Sequence, residues 1–125
     1  MPTIVIDLDG TLTLDDGALP YSERRPNTPV IDKLRQYREK GFQVAIFTAR
    51  NMKTHNKSVG RINAVTLPII LEWLNKHDIP YDEVYVGKPW ADDSGFYVDD
   101  RAIRPDEFVN LSHDEINTLL GPPLQ

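Results

Sequence analysis

The chain has 125 residues, the size of one domain, and it contains no cysteine, which excludes disulfides, iron–sulfur clusters and thiolate zinc sites. Its 14 basic and 19 acidic side chains give a net charge of −5, which argues against a nucleic-acid or anionic-membrane partner, because both need a basic surface. No apolar run approaches the roughly 18 residues that span a bilayer. The first one, Ile4–Ile6, is also too short for a signal peptide, so the cytoplasm is the expected location.

The predicted elements of the first half alternate between strand and helix. The β-branched run Thr3–Ile6 predicts a buried parallel strand, and residues 10–27, rich in Gly, Pro, Asp and Ser, predict a loop or small flap. Thr28-Pro29 predicts a helix start with Thr28 as N-cap, and Gly41 predicts the end of that helix. Residues 42–47 predict a second buried strand.

The second half continues the alternation. A polar segment, 50–61, precedes helical spacing from Ile62 to His77. Glu83–Val86 predicts a third strand and Gly95–Val98 a short fourth one. A capping box that begins at Ser112 predicts a last helix.

This order of elements predicts an α/β fold, Rossmann-like, with a mainly parallel sheet and helices on both faces. Residues 1–121 are expected to form a single domain and residues 122–125 a C-terminal tail after Gly121.

Each predicted strand ends in polar or charged residues, and the carboxyl ends of parallel strands meet at one edge of a sheet. Taken singly, each of these groups fits an ordinary turn or surface position. Together, at the ends of separate strands, they predict a site. Its oxygen ligands, without His or Cys, suit a hard divalent ion, Mg²⁺ first, and such an ion would relieve the repulsion between crowded carboxylates. The residues are Asp7, Asp9, Thr48, Lys88, Asp99 and Asp100.

These residues resemble, in order, the four motifs of the haloacid dehalogenase (HAD) superfamily. Asp7-Leu8-Asp9-Gly10-Thr11 is similar to the first motif, Thr48 to the second, Lys88 to the third and Asp99-Asp100 to the fourth. Longer stretches resemble the small capsule-biosynthesis phosphatase branch, namely Phe47–Met52, Thr66–Ile70, Val86–Trp90 and Tyr97–Pro105. The resemblance implies an HAD-like fold and a Mg²⁺-dependent phosphatase of capsule or surface polysaccharide biosynthesis.

The resemblance also implies a phosphoaspartate mechanism. Asp7 would be the nucleophile, and Asp9 would begin protonated, act as general acid and then act as general base. Thr48 and Lys88 would stabilise the phosphoryl group. The metal ligands would be Asp7, the backbone carbonyl of Asp9, Asp99, and Asp100 directly or through water. An acid at position 9 favours a phosphatase, with a phosphomutase as the alternative.

The sequence indicates less clearly which residues would bind the rest of a small phosphorylated substrate. The insertions 10–27 and 50–78 are too short for a cap domain, so a large substrate could enter an open site, or a second subunit could cover it. Residues 50–61 contain four basic side chains and no acidic one, which suits a polyanionic substrate or equally a solvated loop. The predicted substrate-binding set is Thr48, Ala49, Arg50, Lys53, Lys57, Arg61 and Trp90.

Two other function classes fit parts of this pattern. A phospho-receiver module also places acids, a Thr and a Lys at strand ends, but its accepting Asp lies on the third strand, whereas here a double Asp comes last. A non-catalytic binding protein on the same fold would not need every motif residue. Candidate substrates are a sugar phosphate, a polyol phosphate or a nucleotide.

Overall fold

The computed structural model describes residues 1–14, 17 and 19–123, and the chain divides into two units, Met1–Trp90 and Ala91–Gln125. No helix among these residues is long and apolar enough to cross a bilayer. A single domain over residues 1–121 stays a prediction.

Three parallel strands form the sheet of the first unit: β1, Thr3–Ile6; β2, Gln43–Phe47; and β3, Glu83–Tyr85. Their order is β1-β2-β3, so β2 lies in the middle, and its residues 44–46 are buried. Ile6 pairs with Ile46 in this register. Because the strands run parallel, the residues that follow β1, β2 and β3 emerge at the same edge, as the sequence predicts.

The helices of the first unit follow the predicted apolar spacing. In α1, which spans Thr28–Glu39, Val30 and Leu34 are almost fully buried, as expected for one face of a helix. The predicted N-cap is wrong by one residue: Asn27 is the N-cap, and Thr28 is already in the first turn, with Pro29 beside it. The elements are a 3-10 helix, Tyr21–Glu23; α1, Thr28–Glu39; α2, Val59–Arg61; a π-helix, Ile62–Thr66; and α3, Leu67–Lys76.

The second unit contains two helices, α4 (Pro105–Asn110) and α5 (His113–Leu120). The predicted capping box is confirmed, because the Ser112 hydroxyl accepts from the Glu115 N–H and the Glu115 carboxylate accepts from the Ser112 N–H. Helix α4 was not predicted, although Pro105 in its first turn is a known helix-start signal.

The predicted fourth strand at Gly95–Val98 is wrong, because residues 95–98 form no strand in the structure. Phe96 and Val98 are 79% and 89% exposed. A run of β-favouring residues becomes a strand only where a neighbouring strand completes its backbone hydrogen bonds, so its composition alone was not sufficient.

Candidate active site

Asp7 stands at the end of β1, where the chain makes a tight turn. The Leu8 carbonyl accepts hydrogen bonds from the backbone N–H groups of residues 11–13, and the Leu8 side chain is fully buried. Gly10 has a φ of 78°, a conformation that other residues rarely adopt, so a glycine is needed in this turn. The turn presents the Asp7 carboxylate, whose side chain is 38% exposed, at the edge of the sheet.

Lys88 and Thr11 face the two oxygens of the Asp7 carboxylate. The Lys88 ammonium lies 3.9 Å from Oδ1, and the Thr11 hydroxyl donates to Oδ2 at 3.4 Å. Burial raises the pKa of Asp7 above its usual value, and the positive charge of Lys88 and a backbone hydrogen bond at Leu8 oppose this rise. The neighbouring cation therefore offsets only part of the effect of desolvation on the pKa of Asp7.

Thr48 is held where β2 ends. Its N–H donates to the Tyr85 carbonyl at 2.9 Å, and its own carbonyl accepts from the Lys88 N–H at 3.2 Å, which ties the segment after β3 to the end of β2. The Thr48 hydroxyl oxygen accepts from the Arg50 N–H at 3.1 Å, so the hydroxyl hydrogen is still available to donate. The side chain is 1% exposed and therefore held in a fixed environment.

Asp9 is paired with two arginines. Arg50 donates from Nε to Oδ2 at 3.0 Å and from Nη2 to Oδ1 at 2.8 Å, and Nη1 of Arg24 lies 3.6 Å from the same Oδ1. The Arg50 side chain is 1% exposed, whereas that of Asp9 is 28% exposed. The predicted role of Asp9 as an acid requires a proton on one of its oxygens, and in this structure both oxygens accept from Arg50.

The flap, which we define as residues 10–27, brings Arg24 to Asp9. Thr13 pairs with Pro26 in an antiparallel bridge, and the Asn27 N–H donates to the Leu12 carbonyl at 2.8 Å. The indole N–H of buried Trp73, on α3, donates to the Arg24 carbonyl at 2.7 Å. A core residue of α3 thus fixes the backbone of the flap beside Asp9.

The remaining predicted substrate-binding residues differ from Arg50 in their exposure. Lys53, Lys57 and Arg61 are exposed, Ala49 is half-buried, and Trp90 is 48% exposed. Their roles in binding substrate, like the catalytic roles given to Asp7, Asp9, Thr48 and Lys88, stay predictions.

Asp99 and Asp100 lie in an exposed segment of the second unit, where the Arg101 N–H donates to Oδ1 of Asp99. Over the part of the chain that the structure describes, no three His, Asp or Glu side chains are grouped so as to hold a metal ion. Asp7 offers a partly exposed carboxylate, which is the kind of oxygen ligand that Mg²⁺ prefers.

Residues 4–75 match a family model described as haloacid dehalogenase-like hydrolase, and this range includes Asp7, Asp9 and Thr48. The chain belongs to the haloacid dehalogenase-like hydrolases. Among curated proteins, none matches the sequence.

Two solved structures are similar to this haloacid dehalogenase-like hydrolase. A crystallised target protein from Vibrio cholerae is 51% identical, with a TM-score of 0.93 over 96% of this chain and 97% of its own. A chain of a Pnkp1/Rnl/Hen1 complex is 26% identical, with a TM-score of 0.53, and the similarity covers 80% of this chain but 31% of that one. The predicted HAD superfamily is confirmed, and so is the predicted HAD-like fold.

Two residues that lie at the site of this hydrolase, Tyr21 and Arg24, had no predicted role. Both belong to the flap, whose composition predicts only irregular structure. The one available signal was an arginine pair, Arg24-Arg25, in an acidic chain. Their contact with Asp9 and Arg50 depends on how the flap folds back, which no local pattern predicts.

Proposed function

We propose that the chain is a Mg²⁺-dependent phosphatase that hydrolyses phosphomonoesters through a phosphoaspartate formed on Asp7. The observation that carries the proposal is the placement of the Asp7 carboxylate. It lies 3.9 Å from the Lys88 ammonium, at the sheet edge where the buried Thr48 also stands. A nucleophile, a cation and a hydroxyl donor at one edge suit phosphoryl transfer, where the protein stabilises charge on the phosphoryl oxygens.

In the first half-reaction, a carboxylate oxygen of Asp7 attacks phosphorus while the bond from phosphorus to the leaving oxygen breaks. Asp9 gives the leaving oxygen the proton that it took from water in the preceding turnover. Lys88 offsets the negative charge of the phosphoryl group, and the Thr48 hydroxyl donates to one of its oxygens. The products are an alcohol and an acyl phosphate on Asp7.

In the second half-reaction, water attacks the phosphorus of the acyl phosphate, and Asp9 takes a proton from that water. The bond between phosphorus and the Asp7 oxygen breaks, which releases inorganic phosphate and restores the carboxylate. The structure shows Asp9 with both oxygens accepting from Arg50, an arrangement that supports its part as base in this step.

From the family resemblance alone, we propose as metal ligands Asp7, the Asp9 backbone carbonyl, Asp99 and Asp100. Bound Mg²⁺ would supply positive charge to the transferring phosphoryl group. The partly exposed carboxylate of Asp7 supports its place among these ligands.

The substrate we propose is a sugar phosphate, a polyol phosphate or a nucleotide, in capsule or surface polysaccharide biosynthesis in the cytoplasm. The short flap and the single helical stretch of residues 59–76 support a site without a cap domain. Lys53, Lys57 and Arg61 are exposed and would hold a second anionic group of the substrate. The proposal includes no nucleic-acid or membrane partner, and it allows a second copy of the chain to cover the open site.

Release of inorganic phosphate from a panel of phosphomonoesters, with and without Mg²⁺, tests this proposal. A phosphatase turns over many times and transfers the phosphoryl group to water. Transfer to a sugar or alcohol instead would indicate a phosphomutase or phosphotransferase. Phosphorylation of the protein without turnover would indicate a receiver module, and no reaction would indicate a binding protein.

A further inference from the structure

Tyr21 links the two arginines that face Asp9. The centre of its ring lies 4.2 Å from the guanidinium carbon of Arg50 and 4.6 Å from that of Arg24. Both guanidinium groups approach the same carboxylate oxygen of Asp9, at 2.8 and 3.6 Å. A ring from the flap, two cations and one carboxylate therefore form a single cluster.

The positive charges in this cluster favour an aromatic ring at the position of Tyr21. Arg24 and Arg50 repel one another, and the single negative charge of Asp9 offsets only part of their charge. The negative face of an aromatic ring attracts cations, so the Tyr21 ring stabilises both guanidinium groups at close range. The stacked arginines in turn restrict where the Asp9 carboxylate can lie.

Two backbone contacts hold the flap, and neither involves the side chains of this cluster. The Trp73 indole donates to the Arg24 carbonyl, and Thr13 bridges Pro26. The side chain of Arg24 reaches Asp9, and the ring of Tyr21 contacts the guanidinium groups of Arg24 and Arg50.

We infer that Tyr21 and Arg24 are positioning residues that act through Arg50 and hold the Asp9 carboxylate in the orientation for proton transfer to the leaving oxygen. This inference rests on the proposed phosphatase function. Asp9 is 28% exposed and lies in the turn that follows β1, so without these neighbours its carboxylate would have more rotational freedom. Proton transfer requires hydrogen-bond distance, and small misplacements of a reacting group lower rates steeply.

The dependence of rate on the leaving group separates this role from a structural one. We would measure kcat/KM for a series of substituted phenyl phosphates, from phenyl phosphate to p-nitrophenyl phosphate, for the parent and for Tyr21→Leu, Tyr21→Phe and Arg24→Gln. The p-nitrophenolate leaves readily without a proton, whereas phenolate needs one. Arg24→Gln keeps the backbone carbonyl that Trp73 contacts. Tyr81→Leu is the matched control, because Tyr81 is also half-buried and precedes β3 at the opposite end of the sheet.

We expect Tyr21→Leu and Arg24→Gln to lower kcat/KM for phenyl phosphate by about tenfold more than for p-nitrophenyl phosphate. Tyr21→Phe, which keeps the ring, and Tyr81→Leu should follow the leaving-group dependence of the parent. An equal fall for every leaving group would overturn the inference, since that result indicates phosphate binding or stability alone.

A second measurement does not depend on activity. The Nε–H proton of Arg50 donates to Asp9, so its exchange with water, followed by NMR, should be slow in the parent and faster in Tyr21→Leu. Unchanged exchange would contradict the role of Tyr21. If the parent hydrolyses none of the aryl phosphates, the proposed function fails. If the parent is active and Asp7→Asn is inactive, but the variants keep the parental leaving-group dependence, only the positioning role fails.

Discussion

Arg50 donates two hydrogen bonds to Asp9, at 2.8 and 3.0 Å, and the Arg50 side chain is almost fully buried. A second pair in the chain has nearly the same geometry, since Arg38 donates to both oxygens of Asp82 at 2.7 and 2.9 Å. The Arg38 side chain, however, is 38% exposed. The two pairs differ in solvent access and in their neighbours, because Arg24 also faces Asp9 and the Val44 N–H also donates to Asp82.

Arg50→Gln should destabilise the protein more than Arg38→Gln. Removing one partner of a buried ion pair leaves an uncompensated charge and costs about 3 kcal/mol or more when both partners are buried. We expect about 2 kcal/mol for Arg50→Gln because Asp9 is partly exposed, and less than about 1 kcal/mol for the surface pair. Urea unfolding of the two variants measures the difference, and equal losses would contradict this account of the Asp9–Arg50 pair.

Removal of divalent metal should stop turnover, and Mg²⁺ should restore it. Ca²⁺ should bind but support little activity, because its longer bonds and larger number of ligands disturb in-line geometry. Phosphate release in EDTA, then with Mg²⁺ or Ca²⁺ added back, checks this expectation. Asp99→Asn should raise the Mg²⁺ concentration needed for half-maximal rate. Full activity in excess EDTA is the result that would remove the metal from the mechanism.

The exposed basic residues Lys53, Lys57 and Arg61 should act on KM. Replacing all three with Ala should raise KM about tenfold to a hundredfold for the best substrate with a second anionic group, because each exposed charge pair contributes at most about 1 kcal/mol. An aryl phosphate should be hydrolysed nearly as before.

The control for this prediction is a triple variant that removes the same charge elsewhere, at Lys33, Lys40 and Lys76. It should leave KM for both substrates near the parental value. Added salt should shrink the effect of the loop variant, since the Debye length falls to about 3 Å at 1 M. If the variant at Lys53, Lys57 and Arg61 keeps the parental KM, or if both triple variants raise KM equally, residues 50–61 are only a solvated loop.

The titration of Asp7 should depend on Lys88. Burial raises the pKa of Asp7 and Lys88 opposes the rise, so Lys88→Met should move the pKa of Asp7 further upward in the metal-free protein. Because the ionised carboxylate attacks, the acidic limb of the pH–rate profile should shift in the same direction. Carbon-13 NMR of the carboxyl groups follows the titration, with Lys33→Met as control. An unchanged or lower pKa in Lys88→Met would contradict the pairing.

Local patterns were sufficient for much of the fold. The β-branched run Thr3–Ile6 and the capping box at Ser112 each depend on residues close together in sequence, and both elements form as predicted. The predicted burial of the first strand is wrong, because Val5 is 65% exposed. Gly95–Val98 failed as a strand because pairing requires a neighbour that local composition does not reveal.

The candidate site also contains residues that local sequence predicts and contacts that it does not. Asp7 and Thr48 could be located from the sequence because each directly follows a recognisable strand, and parallel strands bring their ends together. The pairing of Asp9 with Arg50 spans 41 residues, and the Trp73–Arg24 hydrogen bond spans 49. Such contacts depend on tertiary packing, so the roles of Tyr21 and Arg24 emerge only from the folded chain.

The most direct test of the account is to trap the phosphoryl group on Asp7. The parent, mixed with Mg²⁺ and the best substrate and quenched with acid during turnover, should carry an acyl phosphate that borohydride reduces at position 7. Mass spectrometry of the N-terminal peptide locates the reduced residue. Asp7→Asn should be inactive and unlabelled, because an amide is not a nucleophile, whereas Asp32→Asn, on the exposed side of α1, should behave as the parent does. Full activity in Asp7→Asn, or a phosphoryl group trapped at another residue, would contradict the account.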